Sequence, residues 1–200
     1  MKLGVLVSGE GTNLQALIDA QRTGDLAPGE LAVVVSNNPN APALARAAAA
    51  EMRSEVVDHR GKDRAAFEEE LLAVLDAAGV EAVVLAGFMR VLTPHFIARY
   101  PHRIVNTHPS LLPAFPGKDA IPQALAHGAK ITGVTIHFVD TSLDGGPIIA
   151  QESVPILEDD DEVTIRARIQ HLEHRLLPVV VRRLAAGKLS CEGRIVRRAE

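Results

Sequence analysis

Cysteine, tryptophan and runs of positive charge are what this 200-residue chain has least of. Cys191 is the single cysteine, which excludes a disulfide framework and a Cys-based metal cluster. Tryptophan is absent and aromatics make up 3% of the chain, so the core must be built from Val, Leu, Ile and Ala. Lys and Arg never run longer than a pair, as at Arg197-Arg198, and the formal net charge is -4. That balance argues against nucleic acid or an anionic membrane surface as the main partner. No apolar run approaches the roughly 20 residues of a membrane span. The first residues enter a strand pattern directly, so no secretory leader is expected and a cytoplasmic location is the default. What is present is ordinary for a soluble protein: 47% hydrophobic and 23% charged residues. The length is enough to bury a core, and a single domain over 1–200 is expected.

Short β-branched runs alternate with amphipathic stretches. Strands are predicted at Lys2–Val7, Leu31–Val35, Glu55–Val57, Ala82–Ala86 and Arg103–Asn106. Helices are predicted between them, at Asn13–Gln21, Pro42–Glu51 and Asp63–Ala78. The strands read as continuous apolar segments, which suits strands covered on both faces. The pattern predicts an α/β fold: a mostly parallel twisted sheet of about seven strands with helices on both faces. After Asn106 the rhythm changes. Pro109, Pro113, Pro116, Gly117 and Pro122 punctuate a long loop, with a short helix at Ala120–His127. Thr132–Val139 and Pro147–Pro155 read as further strands. Asp161–Ala186 reads as a long helix kinked at Pro178, and Lys188–Arg197 as a hairpin turning at Glu192-Gly193.

Asn106 and His108 lie two residues apart, a spacing that puts both side chains on one face of a strand. An amide and an imidazole aimed into one space are suited to acyl-group chemistry. One donates to an oxygen gaining negative charge, and the other moves a proton near neutral pH. A lone histidine is more often structural, but a position at a strand's C-terminal end, where α/β sheets place their ligands, favours function. Asp144, in Leu143-Asp144-Gly145-Gly146, is either a turn residue or a carboxylate that favours the charged ring. Ser8-Gly9-Glu10-Gly11-Thr12-Asn13 joins the first strand to the first helix. A helix start of that kind offers N–H groups to a phosphate. Leu14 stands where a dinucleotide fingerprint needs its third glycine, so a nicotinamide-binding oxidoreductase is disfavoured. His171 and His174 lack the His-Glu-x-x-His spacing, and no metal is expected.

Four motifs occur in order and at matching spacing: Gly9 to Leu14, Leu85 to Arg90, Asn106 to Pro113, and Gly133 through Asp144-Gly145-Gly146-Pro147. Together they resemble the folate-dependent phosphoribosylglycinamide formyltransferases of purine synthesis, from residue 1 to about residue 190. The resemblance implies formyl transfer from 10-formyltetrahydrofolate, used as a co-substrate without a metal, to the glycine amine of the ribonucleotide. It implies that Gly11, Thr12 and Asn13 hold the phosphoribosyl end, with Gln170, His171, Leu172 and Glu173. Arg64, Met89, Arg90, Val91, Leu92, Asn106 and Asp140, Thr141, Ser142, Leu143, Asp144 become the folate contacts. Asn106, His108 and Asp144 become the catalytic trio. On this reading residues 1–100 bind the phosphate-bearing substrate, and 101–200 bind folate and carry the chemistry. The partners are small molecules and the chain is a monomer or homodimer. Leu112-Pro113 is a candidate cis bond. The loop from Ser110 to about Ala129 is expected to close over ligand.

The chain departs from many relatives at Lys118-Asp119-Ala120-Ile121-Pro122, where histidines without a proline are usual. The alternatives within the class are another formyltransferase, such as one acting on methionyl-tRNA, or a formyltetrahydrofolate hydrolase. The first carries an extra C-terminal domain and needs a basic surface; the second usually carries an N-terminal regulatory domain. Neither addition is expected here.

Overall fold

The computed structural model describes residues 1–199. A nine-stranded sheet runs in the order β3-β2-β1-β4-β5-β6-β7-β9-β8. Its strands are β1 (Lys2–Val7), β2 (Glu30–Ser36), β3 (Ser54–Val56), β4 (Ala82–Leu85), β5 (Ile104–His108), β6 (Ile131–Phe138), β7 (Ile148–Pro155), β8 (Leu189–Glu192) and β9 (Ile195–Arg198). β1 to β5 pair in parallel, β6 and β7 return antiparallel, and the β8–β9 hairpin docks on β7. The expected seven strands are therefore β1 to β7. The hairpin adds two through a single parallel partnership, Ile148 with Ile195, a non-local contact that no turn signal encodes.

The helices are α1 (Thr12–Thr23), α2 (Pro42–Ala49), α3 (Arg64–Ala77), α4 (Pro94–Arg99), α5 (Ala120–Ala126) and α6 (Glu162–Ala185). At α3, α4 and α6 a side chain satisfies the helix start. Asp63 caps α3 by accepting from the Ala66 amide at 2.8 Å, and Asp161 and Thr164 form a reciprocal capping box at α6. The strand residues alternate between two cores, as expected for a sheet covered on both faces. Leu3, Val5 and Val7 pack with Leu14, Leu17 and Leu177 under α1 and α6. Leu6, Val33 and Val35 pack with Phe67, Leu71 and Phe96 under α3 and α4. A third, smaller cluster of Ile121, Val134, Val154, Ile165 and Ile169 seats α5 and α6 against β6 and β7.

Two expectations need adjusting. α6 runs through Pro178 as one helix; the flanking Leu177, Val180 and Val181 are buried, and that packing offsets the lost N–H. β5 extends two residues beyond its expected end, so Asn106 and His108 belong to the strand itself. Helix α4 follows Thr93, whose side chain accepts from the Phe96 amide. Leu112-Pro113 is cis, as is Ala27-Pro28.

Strand order reverses beside β1, whose neighbours are β2 on one side and β4 on the other. Open α/β sheets bind ligands in the crevice beyond the strand ends at such a switch point. The loop after β1 and the loop after β4 meet there, and Ser8 Oγ accepts the Met89 amide at 2.8 Å.

Candidate active site

β5 delivers the central residues by simple alternation. Asn106 and His108 point to one face, while Thr107 points to the other and donates to Glu173 on α6 at 3.0 Å. A cavity of about 330 Å³ opens on the Asn106 face. Its walls come from the loop after β4, the loop before α5 and the loop after β6. Met89, Arg90, Val91 and Leu92 line it, as do Asp140, Thr141, Ser142, Leu143 and Asp144. Met89, Val91 and Leu143 are exposed apolar side chains around it, a surface suited to a flat hydrophobic ring.

Polar groups converge on the cavity floor. His108 Nδ1 lies 3.4 Å from Asp144 Oδ2. His108 Nε2 donates to the Phe115 carbonyl at 2.8 Å. Both ring nitrogens thus face acceptors, which suits the doubly protonated ring. Asp144 holds a left-handed φ of 49° and accepts the Gly117 amide at 2.7 Å. The following turn is closed by necessity: a Cβ at Gly146 would lie 1.8 Å from the Phe138 carbonyl oxygen. Asn106 Nδ2 lies 3.2 Å from His137 Nε2.

His137, Gly117 and Arg166 also line the cavity, and sequence reasoning missed all three. His137 stood inside a recognised strand. Only the antiparallel register, Asn106 opposite His137, reveals its role. Burial pushes the His137 ring toward the neutral form, against the Phe138 carbonyl and the Asp144 carboxylate.

A second cluster lies on the other side of β5, at the start of α1. Gly11 is left-handed (φ 71°) and provides no side-chain cap, so the first amides of the helix are left for an anion. Glycine is required there, because a Cβ would lie 2.6 Å from the Ala43 Cβ and 2.8 Å from its Cα. Asn13 Nδ2 donates to Glu173 Oε2 at 3.2 Å, while Asn13 Oδ1 is buried without a partner. Burial holds the Glu173 carboxyl above its usual range, opposed by its bonds to Asn13 and Thr107.

The α6 residues divide. Glu173 joins Asn13 and Thr107, but Leu172 packs toward the small third core. His171 and Leu172 line a separate shallow groove beside Ser153 and Arg168. A helix turns about 100° per residue, so four consecutive residues cannot face one site. Arg64 is exposed at the start of α3 and does not line the cavity. The cationic groups in its wall are Arg90, Lys118 and Arg166. Met89 to Leu92, from the first half of the chain, join the cavity wall, and Glu173, from the second half, reaches Asn13 at the start of α1. Among the described residues no group of three His, Cys, Asp or Glu side chains is placed to hold a metal ion. Nor, among the described residues, is any helix long and apolar enough to cross a membrane.

The formyl transferase family model matches residues 1–181. The chain belongs to the formyl transferase family. Family relatives share most of its length. The chain is 43% identical over 190 residues to the phosphoribosylglycinamide formyltransferase of Escherichia coli (strain K12), covering 94% of this chain and 89% of that protein. It is 45% identical to the trifunctional purine biosynthetic protein adenosine-3 of Drosophila melanogaster, over 93% of this chain and 14% of that longer protein. Among solved structures, glycinamide ribonucleotide transformylase 1 from Symbiobacterium toebii superposes with a TM-score of 0.97 at 46% identity, covering 100% of this chain and 94% of that one.

Proposed function

We propose that this enzyme transfers the formyl group of 10-formyltetrahydrofolate to the primary amine of 5-phosphoribosylglycinamide, a step of purine biosynthesis. The observation that carries this reading is the convergence of Asn106, His108 and Asp144 at the floor of an apolar-walled cavity. The helix start that suits a phosphate lies directly behind it. The reaction needs no covalent enzyme intermediate, because the substrate amine is itself the nucleophile.

The amine nitrogen attacks the formyl carbon, and the carbonyl pair moves onto oxygen. Asn106 donates an N–H to that oxygen, and the His108 imidazolium adds positive charge beside it. Asp144 makes the charged ring less costly. The C–N10 bond then breaks with its electron pair going to N10. The oxygen's pair re-forms the carbonyl as that bond breaks, the attacking nitrogen gives up one proton, and N10 gains one by way of the His108–Asp144 pair. The folate ring lies between Met89 to Leu92 and Asp140 to Leu143. The ribonucleotide phosphate sits on the amides of Gly11, Thr12 and Asn13, and Glu173 accepts from its ribose hydroxyls. Gln170, one helical turn before Glu173, shares its face and stays with the ribonucleotide, whereas Arg64, His171 and Leu172 make no contact.

Hydrolysis is the competing reaction, since water can take the amine's place at the same carbon. A formyl-transfer assay with and without the ribonucleotide separates the two. Deformylation of the folate should depend on the ribonucleotide and yield its formyl amide in equal amount. Equal folate turnover without the amine would replace this reading with a hydrolase.

A further inference from the structure

His137 is a buried polar side chain beside the reacting groups to which the mechanism above gives no task. It is 2% exposed and lies directly across the ladder from Asn106. The β6–β7 register shifts between Ile136 and His137. An irregularity of this kind re-aims a side chain and recurs next to active sites.

Its hydrogen bonds fix its tautomer. Nδ1 lies 2.9 Å from the Phe138 carbonyl oxygen. A carbonyl only accepts, so Nδ1 carries the proton and Nε2 of the neutral ring is an acceptor. Asn106 Nδ2 stands 3.2 Å from that Nε2. We propose that His137 is a positioning residue: as its Nδ1–H tautomer it accepts one amide proton of Asn106, and so fixes the amide flip that aims the other at the reacting oxygen.

The inference rests on the formyl-transfer reading for its kinetic consequence, though not for the tautomer. An asparagine amide is nearly symmetric in shape, so packing alone selects its flip weakly. The reversed amide would put its carbonyl oxygen against the Nε2 lone pair and turn both N–H groups away. A neutral His137 forbids that arrangement. The charged groups around the ring are Asp144, whose Oδ1 is 3.8 Å from Nε2, with His108 from β5 and Asp140 after β6. Asp144 and Asp140 favour a second proton, whereas burial and His108 oppose it, and burial is the largest influence. A second proton on Nε2 would face the Asn106 N–H, donor against donor. It would favour the reversed amide and draw Asp144 away from His108. Acid therefore removes the oxyanion donor without unfolding the site.

Long-range ¹H–¹⁵N correlation on the labelled full chain, without ligands, assigns the ring. At neutral pH the His137 Nδ1 should be protonated and its Nε2 bare; an Nε2–H tautomer overturns the proposal. His137→Phe removes the acceptor and should lower kcat by about tenfold or more, with both KM values within about threefold. His137→Gln restores an untitratable acceptor near the Nε2 position and should recover most of that loss. In an Asn106→Ala background, His137→Phe should cost less than about twofold, since its effect runs through the missing amide. An equal cost in both backgrounds shows a merely structural histidine and overturns the proposal. Should the wild-type chain transfer no formyl group, the functional reading fails alone, and the ring assignment still decides this one.

Discussion

His108 Nδ1 stands 3.4 Å from Asp144 Oδ2, and the same carboxylate oxygen accepts the Gly117 amide. The carboxylate thus holds both the ring and the loop in front of it. Asp144→Asn keeps the side-chain shape and removes the charge that favours imidazolium. The expected outcome is a kcat lower by roughly 10²-fold, with both KM values changed far less. His108→Ala should lower turnover far more than it weakens either ligand, because its contribution belongs to the transition state. Asn106→Ala should likewise cost rate more than affinity. Steady-state kinetics check all three, and near-normal transfer by His108→Ala contradicts the mechanism.

Glu173 gives a pH dependence of stability with a definite sign. Burial raises its folded pKa above the unfolded value. Its stabilising contribution is therefore complete below the unfolded value and is lost as pH rises through the folded one. Glu173→Gln removes the buried charge, and Thr107 and the unpartnered Asn13 oxygen can accept its amide protons. Urea unfolding at pH values well below and above the carboxyl range should show a flatter dependence for the variant. At the higher pH the variant should be at least as stable as the wild type. Its ribonucleotide KM should rise, as expected where a strained functional group trades against stability. A steeper pH dependence in the variant would refute this.

Gly11 tests the phosphate site less cleanly than its sequence position suggests. Any side chain there meets Ala43 and must hold a left-handed φ. Gly11→Ala should cost roughly 1–3 kcal/mol of stability in addition to ribonucleotide affinity. The decisive measurement uses the wild type. Titration with ribose 5-phosphate should shift the amide resonances of Gly11, Thr12 and Asn13 and leave those of Met89 to Leu92 nearly still. Shifts confined to other amides would place the phosphate elsewhere.

The loop before α5 should move over a shorter span than its prolines imply. Ser110 and Leu112 are buried, and Thr135 bonds to both of their backbones. Beyond them the backbone is left-handed at Phe115, Gly117 and Asp119. Hydrogen exchange should therefore slow on ligand binding within about 114–119, with little change at 110–113. In unliganded Asp144→Ala the Gly117 amide should exchange about tenfold faster, having lost its acceptor. Unchanged exchange in both comparisons would show the segment to be rigid.

Periodicity and turn chemistry determined most of the sheet from the sequence alone. Continuous apolar runs separated by helices encode β1, β2, β4 and β5, because a strand covered on both faces needs no polar alternation, whereas β3 is a three-residue edge strand, Ser-Glu-Val. The two-residue spacing of Asn106 and His108 placed them on one face, because side-chain direction in a strand is a local property. The four motifs carried the family. Local pattern did not determine which residues come opposite one another. His137 reached Asn106 through an antiparallel register, and Glu173 joined Asn13 and Thr107 across 160 and 66 residues of chain. His171 and Leu172 turned away because α6 presents one face to α1 and another to β7, and Arg64 stayed outside the cavity at the exposed start of α3. Such pairings depend on how whole elements pack, a global balance of buried area and register that no short stretch of sequence contains.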